Sequence, residues 1–338
     1  MTERKKINWL LILQGWAMFW VVLGHSFVVP MDEGPRWVLT LYKSAQPFRM
    51  PLFMLVSGWL FYLTRLKPTE LSGFRGGQWP YNQIISEKAI RLLLPGLVFS
   101  ILAFVVKIAF PGEMTRQVGL SLKEVVHAFL YPNDNPFREL WFIATVFWYF
   151  ILTPLWKIVL QRDWTMWLTV IVLVVLHFWY PNWGFLCLGK VFYMAIYFYL
   201  GLVICKKDIV ERLFNKNPWF TLVIGIAIYV LGRFTNGFIT SIGGIVFSFA
   251  LALILDKYLP KTFFSFRKYT YQIFLMGIFA QMLVKILYRH FPIPYLVAYL
   301  LCIALGLYVP VLVSKLLERI NWKPLLLCVG LKPKKQKS

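Results

Sequence analysis

Long apolar runs dominate this chain and leave it few folds to choose from. A helix needs about 20 mostly apolar residues to cross a bilayer. The sequence offers ten such runs, near 8–28, 45–64, 92–111, 140–160, 165–180, 186–205, 219–234, 238–255, 269–288 and 294–316. They predict an all-α, polytopic membrane protein of about ten transmembrane helices. Of the 338 residues, 59% are hydrophobic and 15% charged. Soluble domains sit nearer half apolar and a quarter charged, so the excess apolar surface must face lipid. With no low-complexity linker and no internal repeat, residues 1–338 read as a single integral-membrane domain.

Lysine and arginine set the orientation. With the N-terminus inside, the cytoplasmic segments carry 25 of the 36 cations and the opposite side 11. Cytoplasmic loops attract such an excess, so both termini are expected inside. The net charge of +22 would suggest nucleic acid in a soluble chain. Here the cations sit in short stretches between apolar runs, without a basic helix face, so no nucleic-acid partner is expected. The first run is long and lacks a small-residue cleavage site, so it reads as a span and not as a leader. Residues 65–88 form a basic inner loop with a Gly-Gly pair, and 112–138 an outer loop containing the amphipathic piece SLKEVVHAFL. Residues 322–338 read as a basic cytoplasmic tail near anionic headgroups. Cys187, Cys205, Cys302 and Cys328 lie singly in or next to apolar runs, as small apolar residues do.

The first run, LLILQGWAMFWVVLGHS, carries one titratable side chain, His25, and one strong amide, Gln14. At about 100° per residue, eleven residues return to the same face, about 16 Å farther along the axis. Met18 and Val22 share that stripe. Ionisable groups inside membranes usually face a cavity or a partner, so the stripe suggests a path through the bilayer beside this helix. Imidazole is the side chain best suited to proton exchange near neutral pH. A histidine at the outer interface bonded to a backbone carbonyl is the alternative. His127, His177 and His290 read as structural, and no ligand cluster supports a metal.

Three further stretches can carry chemistry. In SEKAIRLLLP, Lys88 and Arg91 stand i, i+3 at the inner mouth of the third run, so they are expected to project together. Such a pair suits a phosphorylated ligand, or ordinary positive-inside anchoring. In FRMPLFMLVSGWLF, Arg49 opens the second run where the chain returns from His25, so both should lie at similar depth. A fixed cation there could steady an oxyanion, or snorkel to headgroups. In the same run Pro47 and Pro51 remove backbone bonds that neighbours or water must replace. In FRELWFIATVFW, Glu139 and Trp141 lie at the outer mouth of the fourth run, with Trp141 either a belt residue or a stacking face for a sugar ring.

Together these stretches resemble acyltransferase family 3, the integral-membrane O-acyltransferases of bacterial glycans. LILQGWAMFWVVLGH is similar to the family's first-helix signature, FRMPLFMLVSGWLF to its second-helix pattern, EKAIRLLLPGLVFS to its third-helix basic motif and ELWFIATVFW to its Leu-Trp-Phe motif. The four matches fall in order over about residues 8–150. The resemblance implies ten core helices in the bacterial inner membrane. It also implies an acyl group, usually acetyl, taken from acetyl-CoA in the cytoplasm and delivered to a hydroxyl of a surface or lipid-linked glycan.

Residue by residue, His25 matches the family's essential histidine, and Lys88 and Arg91 its paired arginines, with Lys replacing the first. Gln14 stands where many members have Arg, and Arg49 where a His often precedes Met-Pro-Leu-Phe. Gln14 cannot neutralise a phosphate, so the donor's charge must be met by Lys88, Arg91 and the inner loop. The partners expected are acyl-CoA, a glycan or lipid-linked sugar, membrane lipids and a second copy of the chain. A secondary transporter or a lipid-linked-sugar flippase is the rival class, since it too uses many spans, broken helices and intramembrane polar groups.

Overall fold

The computed structural model describes residues 8–30, 33–67, 81–110 and 121–333. The cations at 4–6, the Gly-Gly pair of the inner loop and the last residues of the basic tail lie outside them. Among the described residues every regular element is helical: α1 (Asn8–His25), α2 (Arg36–Phe61), α3 (Tyr81–Ala109), α4 (Leu122–Leu130), α5 (Leu140–Ile151), α6 (Thr153–Val159), α7 (Asp163–Phe178), α8 (Leu188–Lys206), α9 (Pro218–Phe234), α10 (Gly237–Tyr258), α11 (Thr270–His290), α12 (Tyr295–Ile320) and α13 (Lys323–Cys328). Wide π-helical turns occupy Tyr62–Leu66, Ala89–Leu93 inside α3, and Val210–Phe214.

Among the described residues, five helices are long and apolar enough to cross a membrane: α3, α10, α11, α12 and the stretch Phe185–Lys206 that contains α8. The pair α5 and α6, bent by 56° at their junction, makes a sixth if it counts as one span. α7 and α9 are apolar but shorter. α1 is not among the five because Asn8, Gln14 and His25 dilute its 18 residues. Lipid exposure explains the outer face of α3. Leu97, Ile101, Val105 and Ile108 follow one stripe and are each about half exposed, a patch that water would not tolerate at this length. The protein is thus a multi-pass membrane protein.

The chain divides into two compact units, Met1–Val56 with Lys207–Val313, and Ser57–Lys206 with Ser314–Ser338. In the first unit α1 packs on α10 and α11, while α9 and α10 run backbone to backbone. A Cβ on Gly232 would lie 2.2 Å from the Thr240 nitrogen, and one on Gly243 equally close to that of Tyr229. Small residues of this kind let helices approach where lipid supplies no hydrophobic drive.

That pair of helices also repairs α2. Pro47 and Pro51 have no N–H to give, which orphans the carbonyls of Lys43 and Pro47. Arg233 Nη1 donates to the Lys43 carbonyl at 3.5 Å, and Ser241 Oγ to the Pro47 carbonyl at 2.6 Å. Tyr229 Oη adds a bond to the Ser44 carbonyl at 2.7 Å.

The second unit is held by an aromatic core of Phe61, Tyr149, Phe150, Trp156 and Phe198. The absent side chain of Gly58 leaves room for the Phe198 carbonyl, 2.0 Å from where a Cβ would stand. At the bend between α5 and α6, Pro154 frees the Phe150 carbonyl, which accepts from the Thr153 hydroxyl. Trp156 Nε1 donates to the Tyr149 carbonyl at 2.8 Å and Tyr81 Oη to that of Ile151 at 2.9 Å. The apolar run 140–160, expected as one span, is thus a broken one whose loose carbonyls all have donors.

Candidate functional site

The sequence-predicted residues fall into two groups, one per unit. In the first unit α1 ends at His25, which is partly buried. Arg49 reaches the same turn from α2. Its guanidinium fills the place of a side chain on Gly24, where a Cβ would stand 1.5 Å from Nη1. Only glycine at 24 admits the cation there. Arg49 Nη2 donates to Tyr42 Oη at 3.3 Å, with Cζ 4.8 Å from the Tyr42 ring centre. Nη1 is buried and has no hydrogen-bond partner among the described residues. An unsatisfied buried donor costs about 1–3 kcal/mol, and more when charged. On Gly24, the residue before His25, such a donor is available to any oxygen that develops charge there.

The stripe below His25 is closed at its middle. Met18 is 1% and Val22 4% exposed, while Gln14, nearer the start of α1, is partly buried. A thin chain threading along it needs Met18 to swing aside, which an unbranched thioether does readily.

Toward the start of α1, the α10–α11 connection packs against the helix. Phe263 adopts left-handed backbone (φ 56°) and places its ring against Gly15, stacked on Phe19. Asn8 donates to Asp256 at 2.5 Å and accepts from buried Arg267 at 2.7 Å. Burial holds the Arg267 pKa below its ordinary value, against the opposing pull of Asp256.

In the second unit Lys88 and Arg91 flank and enter the π-helical turn of α3. Lys88 is partly buried, its Nζ 4.2 Å from the Phe150 ring centre and 5.8 Å from that of Phe61. Arg91 is exposed. The i, i+3 spacing assumed an ordinary α-helix, whereas the wider turn sets the two cations in different surroundings. Glu87 is ion-paired with Arg65 and accepts from Gln83 Nε2 at 3.0 Å. Lys88 therefore rests on aromatic faces, and π-turns of this kind recur at functional sites. Glu139 is buried at the N-terminus of α5, where its carbonyl accepts from the Phe142 N–H at 3.1 Å. Lys190 Nζ lies 5.7 Å from the Trp141 ring centre and 5.8 Å from that of Tyr193.

Two other histidines have structural partners. His127 lies 3.3 Å from Asp134, and His177 Nδ1 donates to the Tyr193 carbonyl at 2.7 Å. Among the described residues no three His, Cys, Asp or Glu side chains gather as a metal would require.

Sequence reasoning missed Gln281, a fully buried amide from α11 that bonds the end of α1. Its signal was present, since a glutamine in the middle of an apolar run needs a partner.

Residues 7–315 match the acyltransferase domain that defines acyltransferase family 3. The chain belongs to this family. It is similar to the nodulation protein NolL of Sinorhizobium fredii, 26% identical over 201 residues, which is 54% of this chain and 48% of that protein. The NolL protein of Mesorhizobium japonicum is 28% identical over 134 residues, 39% of this chain and 31% of its own length. The matches thus span about half or less of these curated relatives. No solved structure matches the chain.

Proposed function

We propose that this family member is a membrane O-acyltransferase, moving an acetyl group from acetyl-CoA on the cytoplasmic side to a hydroxyl of a surface or lipid-linked glycan. In this reading the chain crosses the bacterial inner membrane about ten times, with both termini inside. The observation that carries it is the Arg49 guanidinium seated on Gly24, the residue before His25, with a buried N–H that has no partner among the described residues.

His25 accepts the proton of the acceptor hydroxyl as its oxygen attacks the thioester carbonyl. The tetrahedral oxyanion forms within reach of Arg49. Its collapse breaks the carbon–sulfur bond, expels the thiolate of coenzyme A, and leaves the acetyl ester on the sugar. The imidazolium then returns its proton to the thiolate. Positioned bases contribute about 10²–10⁴-fold, and single oxyanion donors about 10²–10³-fold.

For the donor, Lys88 and Arg91 have the charge that phosphates require, and Gln14 has the amide that a neutral arm can bond. Glu139 and Trp141 are the residues assigned to the acceptor, the indole having a flat apolar surface suited to a sugar ring. Coenzyme A alone tests the donor site. At a hundredfold excess over Kd, a ligand bound by the folded state stabilises it by about 2.7 kcal/mol, so the melting temperature of the purified protein should rise with coenzyme A concentration. No shift at saturating coenzyme A would contradict a cytoplasmic donor site.

A further inference from the structure

The turn that carries His25 has an unusual ending. An α-helix leaves its last four carbonyls without intrahelical donors. After His25 the chain tightens, and the Ser26 N–H bonds the Leu23 carbonyl at 3.2 Å, which leaves the Val22 carbonyl without its regular backbone donor. Two side chains supply what is missing. Ser26 Oγ donates to the Val22 carbonyl at 2.8 Å, and Gln281 Nε2 donates to that carbonyl at 2.9 Å and to Ser26 Oγ also at 2.9 Å. All three polar groups are sealed from solvent, with Gln281 1% and Ser26 0% exposed.

The space is made to measure. A Cβ on Gly306 of α12 would lie 2.9 Å from Gln281 Nε2 and 3.0 Å from Val22 Cγ1. Cys302 Sγ approaches the Gln281 carbonyl at 3.7 Å from the same helix. One primary amide, with both its hydrogens engaged, thus ties the Val22–Ser26 turn to α11. Arg49 presses on the same turn through Gly24.

We infer that Gln281 is a positioning residue for His25, holding the imidazole at a fixed height and rotation through Val22 and Ser26. The inference rests on the reading of His25 as the base. Misplacing a reacting group by about 1 Å can cost about a hundredfold in rate, and loss of the Gln281 amide removes two of the bonds that hold this turn. The amide touches no substrate in this scheme, so its loss should appear in kcat and leave the binding of acetyl-CoA alone.

The test compares His25→Ala, Gln281→Met, Ser26→Ala and Gly306→Ala in the full-length protein, at matched membrane levels and melting temperatures. Gln281→Met keeps length and bulk while removing the donor. It should lower kcat about 10–100-fold with KM for acetyl-CoA unchanged. Ser26→Ala, which removes one acceptor and one donor of the triangle, should cost less in the same direction. In a His25→Ala background the Gln281 change should add nothing, because residues acting through one another are not additive.

Unchanged kcat in folded Gln281→Met would overturn the inference, as would a loss confined to KM or a full additional loss in the His25→Ala background. Where Gln281→Met fails to reach the membrane, Ser26→Ala and Gly306→Ala decide, and wild-type kcat in both overturns it. Full activity in His25→Ala would instead remove the base assignment on which the inference stands.

Discussion

The two units treat their charged groups in opposite ways. In the first, the end of α1 is fixed by directional bonds from Gln281 and Ser26 on Val22, and the Arg49 guanidinium is seated on the bare Gly24. Even the carbonyls orphaned by Pro47 and Pro51 have dedicated donors on α9 and α10. In the second, Lys88 lies over two phenylalanine rings beside a π-helical turn, and Arg91 stands exposed. Attraction to a ring face depends weakly on angle and is worth about 0.5–2 kcal/mol, so a lysine stored there can swing to a phosphate. A base and an oxyanion donor need fixed geometry. Cations that meet a multiply charged nucleotide need reach and charge more than angle. The contrast is between side chains held by directional bonds in one unit and a lysine lying over ring faces in the other.

Mutations that strike each region can break that contrast. The largest effect belongs to His25→Ala, which should lower acetyl transfer from acetyl-CoA in membrane vesicles by about 10²–10⁴-fold without changing KM. Arg49→Met comes next, with kcat down about 10²–10³-fold. Gly24→Ala should approach the Arg49 loss with Arg49 still present, because the new methyl takes the guanidinium's seat. Combining the two should cost little more than Arg49→Met alone. A fully additive double variant would show that Gly24 and Arg49 act separately.

Lys88→Met should raise KM for acetyl-CoA about tenfold and leave kcat intact. A loss in kcat instead would place Lys88 with the rigid group.

The smallest effect concerns α4, away from both groups. Ser121 and Glu124 form a capping box, and the Ser121 hydroxyl, then its backbone N–H, hold the Glu124 carboxyl below its ordinary range. A depressed folded-state pKa adds stability above the unfolded value and loses it as pH falls through the folded one. Hydrogen-exchange protection of residues 122–130 should therefore decline between about pH 5 and about pH 3, and Glu124→Gln should flatten the decline. Equal protection across that range in the wild type would contradict the cap's contribution.

Hydropathy read helix cores better than helix ends. The runs 238–255, 269–288 and 294–316 correspond to Gly237–Tyr258, Thr270–His290 and Tyr295–Ile320, since long apolar helices announce themselves. The second run was expected from 45, yet α2 starts at Arg36. The residues TLYKSAQ continue a helix without being apolar, and hydropathy reports lipid compatibility, not hydrogen bonding. For the same reason the third run, expected from 92, begins at Tyr81 and passes through SEK.

Within the candidate site, the approach of Arg49 to the end of α1 follows from the chain returning at that depth. The Lys88–Arg91 spacing misled because a π-turn is invisible to a fixed angular increment. Gln281 was hidden by distance, since its partner Ser26 lies 255 residues earlier and no local pattern links them.

The most direct test of the account is mass spectrometry of surface glycans from cells carrying the wild-type protein, no protein, or His25→Ala at equal membrane level. The account predicts an added acetyl mass on a sugar hydroxyl only with the wild type. Equal acetylation with His25→Ala, or the same glycan masses in all three, would contradict it.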